Sequence, residues 1–343
     1  MSYEQQRAGI FQKLKNFSGE PFEALSLEVF RFQAAHNPLY GRYLALLNVD
    51  IQQVKTVEAI PFLPIQFFKN YTVKTGDWPT QTNFTSSGTT GETTSQHHVR
   101  DLDFYKQNTL HGFQPFYGDP AEWLVLALLP SYLERSGSSL VVMAEHFIKR
   151  SRHPQSGFFL NDLDKLVKIL QSQVTPRAPN ISIPQYPNIL LLGVSFALLD
   201  LAERQSLDLQ HVTIMETGGM KGRRRELTRS ELHDTLKSTF NVAAIHSEYG
   251  MTELFSQAYS TGDGLFRPAP TLRAFTREIT DPLTQQQPSK TGILNLIDLA
   301  NFDTCSFIAT DDLGRVFPDG SFEVLGRADN SDVRGCNLLV DKG

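Results

Sequence analysis

Apolar residues recur at intervals of three and four along "IFQKLKNF" and again along "FEALSLEVFRFQAA". The opening of the chain therefore reads as amphipathic helices, closed by the turn composition of "HNPLYG". "IPFLPIQFFKNYTVKT", Ile60 to Thr75, is apolar but carries two prolines, which forbid a long helix and leave an extended segment. Two short strand-like pieces follow, "TQTNF" and "TSQHHV", with a loop of hydroxyls and glycines between them, the pattern of a hairpin. From Asp101 the pattern alternates: a helix, the apolar run "WLVLALLP", a polar turn, and a helix beginning near Leu140. A proline-rich connection then leads to "ILLLGVSFALLDLAERQ", a buried strand turning sharply into a helix. "HVTIMETGGMKG" and "NVAAIHSEYGMTEL" repeat the passage from strand to loop. Strands alternating with helices over Trp123 to Leu254 predict a largely parallel sheet covered on both faces. After Gly262 the texture changes to short strands and turns, the pattern of a β-rich subdomain.

Composition narrows the class. The 343 residues suffice for two domains or one large α/β unit, and 40% apolar with 20% charged residues is the make-up of a globular protein. A net charge of −5 argues against a broad electrostatic grip on nucleic acid. The basic run "KGRRRELTR", Lys221 to Arg229, reads as a solvated helix start or as a phosphate-binding patch. No stretch reaches the roughly 18 uninterrupted apolar residues of a membrane span, and the N-terminus lacks a signal-peptide core, so a cytoplasmic location is expected. The two cysteines, Cys305 and Cys336, form no CxxC pair, which disfavours a disulfide framework or a cysteine zinc site. His97 and His98 are adjacent, so in a strand they point to opposite faces, poor spacing for metal ligands.

The loop "TSSGTTG" presents many N–H and O–H donors with little bulk and can wrap an anion such as phosphate; a flexible hairpin tip has the same composition. It is not a Walker A loop, because Glu92 follows Gly91 where that pattern needs lysine. "GVSFA" between strand and helix has the shape of a hydrolase nucleophile elbow with Ser195 as nucleophile, although no oxyanion segment of the HGGG type precedes it.

"TSSGTTG", "ETGG", "SEYGMTEL", "ATDDLG" and "GRADNSDVRG" occur in this order, and together they resemble the adenylate-forming ligase superfamily. Within it the chain is most similar to the acyl-protein synthetases of the bacterial luciferase system, through "IPFLPIQFFK", "SSGTTG", "EYGMTEL" and "RGCNLLV". The resemblance implies an α/β fold of stacked mixed sheets covered by helices. It further implies an acyl-adenylate-forming core with N-terminal helices over 1–260, a β-rich subdomain of the same core over 261–325, and a shortened hinge and tail over 326–343. Thr85, Ser86, Ser87, Gly88, Thr89, Thr90 and Gly91 would hold the β- and γ-phosphates of ATP. Gly218 and Gly219 would admit the adenine edge, and Tyr249, beside Gly250, would stack on the base. Thr252 would contact the α-phosphate, Glu253 would hold Mg²⁺, and Asp312 with Arg327 would take the ribose.

The implied reaction is ATP-dependent activation of a carboxylic acid, expected to be a fatty acid, with release of pyrophosphate and acyl transfer to a thiol. Cys336 would be that thiol, and the onward acceptor an acceptor protein, CoA or a reductase subunit. Two departures stand out: no lysine follows the phosphate loop closely, and the superfamily's lysine-bearing domain after the hinge has no counterpart in the 16 residues after Arg327. The alternatives are a CoA-ligase-like enzyme using an external thiol, a non-catalytic acyl-nucleotide or carrier-binding protein, and a serine hydrolase. Read singly, Tyr249 is also a core aromatic, Asp312 a turn residue of "DDLG" and Cys336 a buried residue of a last strand.

Overall fold

The computed structural model describes residues 1–86, 93–130, 137–174, 188–218 and 227–328. These described residues fall into two compact units, one drawn from those within 1–81, 93–100 and 270–328 and the other from those within 82–86 and 101–269.

The second unit is built on a seven-stranded sheet. In spatial order its strands are Arg267–Pro268, Ala258–Ser260, His246–Tyr249, Val212–Thr217, Asn188–Val194, Trp123–Leu128 and Gly157–Phe158. The five from His246–Tyr249 to Gly157–Phe158 are parallel, and the other two join antiparallel. Every residue of Trp123–Leu128 is buried, as is all of Asn188–Val194 beyond its first residue. Successive side chains point to opposite faces, so burial at every position means that both faces are covered, as the unbroken apolar runs predict. The helices Ser195–Arg204 and Arg229–Phe240 pack on one another, as do Leu102–Tyr117 and Ser139–Arg150. The core runs from Leu110 and Phe113 through the central strands to Leu236, Phe240 and Tyr259.

The chain makes Trp123–Leu128 first, adds Gly157–Phe158 on one side, then returns to build the remaining strands on the other. This reversal is a topological switch point, and ligands of open α/β sheets bind beyond the carboxyl ends of strands at such points. Gly218, Tyr249 and Gly250 all lie at those carboxyl ends.

The first unit joins the N-terminal helices to a five-stranded sheet. Leu63–Pro64 runs parallel to Phe307–Val316, which pairs antiparallel with Gly292–Asp298 and with Phe322–Arg327; Leu272–Arg277 flanks Gly292–Asp298. Helix Phe22–His36 buries Phe22, Leu25, Val29, Phe30 and Phe32. Its Gln33 clamps the segment before the long strand: Nε2 donates to the carbonyls of Asn301 and Phe302 at 3.1 Å, and Oε1 accepts from Ser306 N at 2.9 Å.

Two local readings are corrected. "HNPLYG" starts a helix, Pro38–Leu46, rather than ending the helical region. Asn37 Oδ1 accepts from Tyr40 N at 3.0 Å, and Pro38 occupies the first turn, where its missing N–H costs nothing. "DDLG" is no turn: Asp311 to Gly314 lie inside the ten-residue strand Phe307–Val316.

Candidate active site

In the sheet-based unit the strand Thr82–Thr85 leads into the hydroxyl-glycine loop. Phe84 anchors it, with ring centroids 4.7 Å from Tyr105 and 6.1 Å from Phe255. Thr85 N donates to Gly137 O at 2.7 Å, and Gly137 has φ +82°, with a Cβ there meeting Thr85 Oγ1 at 3.0 Å. Glycine is therefore required at 137 by conformation and by space. Thr85 and Ser86 are half-buried. Ser87, Gly88, Thr89, Thr90 and Gly91 lie outside the described residues, as do Gly219 and Cys336.

Gly218 follows the strand Val212–Thr217 with φ +70°, and a Cβ there would meet nothing within 4 Å. Among the described residues nothing crowds it, and its backbone conformation disfavours side chains. Tyr249 ends His246–Tyr249, buried, its ring centroid 5.7 Å from that of Phe266, and the Arg229 guanidinium lies 4.9 Å over the Phe266 ring. At Gly250 a Cβ would fall 2.4 Å from Glu248 Oε1, so the chain passes the carboxyl as closely as only glycine allows. Thr252 and Glu253 occupy the next turn, closed by Leu254 N donating to Met251 O at 3.1 Å. Asn108 holds the segment beyond it, with Nδ2 donating to Phe255 O at 3.0 Å and Ser256 Oγ at 3.1 Å. Glu253 is buried and Thr252 half-buried.

Behind these loops is a cluster that the motifs did not reveal. Glu216 and Glu248 sit on neighbouring parallel strands, both buried. The Thr217 hydroxyl donates to Glu248 Oε2, while Glu216 Oε1 lies 3.5 Å from Arg229 Nε and 3.6 Å from His233 Nε2. Burial pushes the Glu248 carboxyl up to about 7; the Thr217 hydrogen bond opposes this and the Glu216 charge adds to it. The available signal was an acidic residue in an otherwise apolar run, "TIMET" and "IHSEY", since a carboxylate at a buried strand position needs partners. Ser195 belongs to this cluster. It is buried, and its hydroxyl donates to Gly218 O with Glu216 Oε2 3.3 Å away. His233 addresses Glu216 and, at 3.4 Å, Ser247, and among the described residues no imidazole hydrogen-bonds Ser195, which braces the Gly218 turn.

In the other unit Asp312 is buried on Phe307–Val316, directly opposite Arg327 in the strand register, with Arg327 Nε 3.6 Å from Asp312 Oδ1. Neighbouring Asp311 is engaged elsewhere, accepting from Gln66 Nε2 at 2.7 Å on both oxygens. Cys305 is fully buried, its thiol pushed up to about 12 by burial, which suits a packing residue and not a nucleophile. His97 Nε2 hydrogen-bonds Thr304 Oγ1 at 2.8 Å, and His98 Nδ1 bonds Thr80 Oγ1 at 3.3 Å. Of the basic run, Arg229 opens the helix Arg229–Phe240, capped by a reciprocal Thr228–Glu231 box.

No family model matches the sequence, and no curated protein matches it. Solved structures do. 2-Hydroxyisobutyryl-CoA ligase in complex with 2-HIB-AMP, in the postadenylation state, superposes with a TM-score of 0.64 at 12% identity over 90% of this chain and 68% of that one. The same ligase in an open conformation, with 2-HIB-AMP and CoA, gives 0.62 at 14% identity over 89% and 73%. ATP-bound MatB from Rhodopseudomonas palustris gives 0.51 at 17% identity over 71% of this chain. The fold is that of adenylate-forming ligases. The chain spans 47% of the length of MatB, about half of it. Among the described residues no helix is long and apolar enough to cross a membrane.

Proposed function

We propose that this chain activates a carboxylic acid, a fatty acid by its resemblance, as an acyl-adenylate at the expense of ATP, then accepts the acyl group on Cys336. The observation that carries the reading is that Gly218, Tyr249-Gly250 and Thr252-Glu253 follow the carboxyl ends of two neighbouring parallel strands, Val212–Thr217 and His246–Tyr249, in an adenylate-forming-ligase fold.

A carboxylate is a poor acyl donor because oxide is a poor leaving group. Its oxygen attacks the α-phosphorus of ATP, the bond to pyrophosphate breaks, and AMP becomes the leaving group. The thiolate of Cys336, its proton lost to solvent, attacks the carbonyl carbon and expels AMP. The chain's task is to orient two anions and exclude water. Thr85 to Gly91 receive the β- and γ-phosphates, Thr252 orients the α-phosphate, and the glycine backbone at 218 and 250 lets the nucleotide approach. Tyr249 supplies the ring for the base. Asp312 accepts from the ribose hydroxyls, since Asp311 is committed to Gln66. The hard carboxylate oxygens of Glu253 fit Mg²⁺, which when bound neutralises phosphate charge.

With ATP, Mg²⁺ and labelled fatty acid, the protein should acquire a hydroxylamine-sensitive label at Cys336. Cys336→Ser should lose the label and keep acid-dependent pyrophosphate exchange. Undiminished labelling of Cys336→Ser, or a label on Cys305, contradicts the carrier role; absence of exchange with every acid of a broad panel contradicts the adenylation itself.

A further inference from the structure

In the unit that carries Asp312, a cleft of about 240 Å³ opens between the segment Leu47–Phe62 and the turn after Leu272–Arg277. Its apolar lining includes Val49, Ile60, Phe62, Pro282 and Leu283. Arg277 lines it too, half-buried. Among the described residues its guanidinium donates to neutral acceptors: Leu294 O at 3.2 Å, Asn295 Oδ1 at 2.7 Å and Thr310 O at 2.7 Å. Among the described residues no carboxylate lies within ion-pair distance of it. Asp311 acts on this charge only from beyond ion-pair distance; a cation partly removed from water without a direct partner is costly, and the cost falls when a ligand brings the anion into contact. Burial draws the Arg277 pKa down, and the Asp311 charge opposes this without cancelling it.

The rim is built rather than loose. Asp281 accepts from Leu283 N at 3.0 Å and from Thr284 Oγ1 at 2.6 Å, a turn that holds Leu283 out with 62% of its surface exposed. Gln285 Nε2 donates to Glu58 O at 3.0 Å and ties the two walls together. The Glu58 side chain also lines the cleft, but it is exposed, so its charge is screened by water. A half-buried cation at one place, apolar walls beside it and an exposed leucine at the rim describe a receptor for a charged head on an aliphatic tail.

We propose that this cleft is a binding site for a short aliphatic carboxylate, its head paired with Arg277 and its tail along Ile60, Phe62 and Leu283. The volume lies just under the range of about 300–1,000 Å³ of small-molecule pockets, which favours a short chain. A bidentate guanidinium–carboxylate pair is the natural head contact.

The test is photolabelling of the full chain, without ATP, by a short alkyl carboxylate bearing a diazirine on its tail, with peptide mapping by mass spectrometry. Label should appear on the peptides holding 58–62 and 282–285, be displaced by octanoate, and fall at least tenfold with the matching alcohol or in Arg277→Gln. Ala59→Trp, which fills the cleft from an exposed position, should abolish it and decides the matter if Arg277→Gln does not fold. Equal labelling by the alcohol, persistence in Ala59→Trp, or label found only elsewhere would overturn the proposal. Because ATP is omitted, none of these outcomes bears on adenylation, which pyrophosphate exchange reads separately.

Discussion

At the scale of single residues, the buried Glu216 and Glu248 and the Glu253 of the loop proposed to hold the nucleotide have different work. Glu253→Gln keeps shape and removes the charge assigned to Mg²⁺. Its pyrophosphate exchange should fall on the order of 100-fold, equivalent to about 3 kcal/mol, with the unfolding midpoint unchanged. Wild-type exchange in a folded Glu253→Gln protein would remove that residue from the metal site. Glu248 is a matter of stability. Its folded pKa of about 7 lies above the unfolded carboxyl value of about 4.3, so the native state holds the extra proton between them and stability is lost as pH rises through that window. Glutamine mimics the protonated acid. Glu248→Gln should therefore match wild type near pH 4.5 and exceed it above pH 7, by a margin of order 3 kcal/mol at most. A constant difference across pH in urea unfolding would show that Glu248 does not titrate in this way.

At the scale of elements, the glycines decide how closely the backbone can pass other groups. Gly250→Ala drives a Cβ to 2.4 Å from Glu248 Oε1, so the carboxyl or the loop must move. A loss of about 1–3 kcal/mol in denaturant unfolding is expected. Gly9, in helix Tyr3–Leu14 with nothing within 4 Å of an added Cβ, is the control: Gly9→Ala should stabilise by about 0.5–1 kcal/mol. Equal effects at the two sites would refute the close approach. The same scale shows what the sequence could yield. The runs "WLVLALLP" and "ILLLGV" announced themselves as strands buried on both faces, because no polar position interrupts them. "HNPLYG" misled because Asn-Pro is chemically suited both to turning and to starting a helix, and only the Asn37–Tyr40 bond distinguishes the two. The short edge strand Gly157–Phe158 was invisible, since two residues carry no periodicity. The residues proposed for phosphate, base and ribose stand in sequence motifs, whereas the meeting of Arg229, His233 and Glu216 does not. Their meeting depends on a helix returning across two strands, which spacing along the chain does not encode.

At the scale of the molecule, the central claim is that a sheet edge bearing Gly218, Tyr249 and Glu253 brings a carboxylate to the α-phosphate of ATP. Oxygen tracing tests it most directly. The chain is incubated with ATP, Mg²⁺ and a fatty acid carrying ¹⁸O in its carboxylate, with hydroxylamine added as acyl acceptor. Attack at the α-phosphorus followed by acyl transfer leaves one acid-derived oxygen on phosphorus, so the AMP formed should carry a single ¹⁸O and the pyrophosphate none. Label in inorganic phosphate, with ADP as the nucleotide product, would place attack at the γ-phosphorus, and a folded protein that forms hydroxamate with no ¹⁸O in AMP would contradict the account.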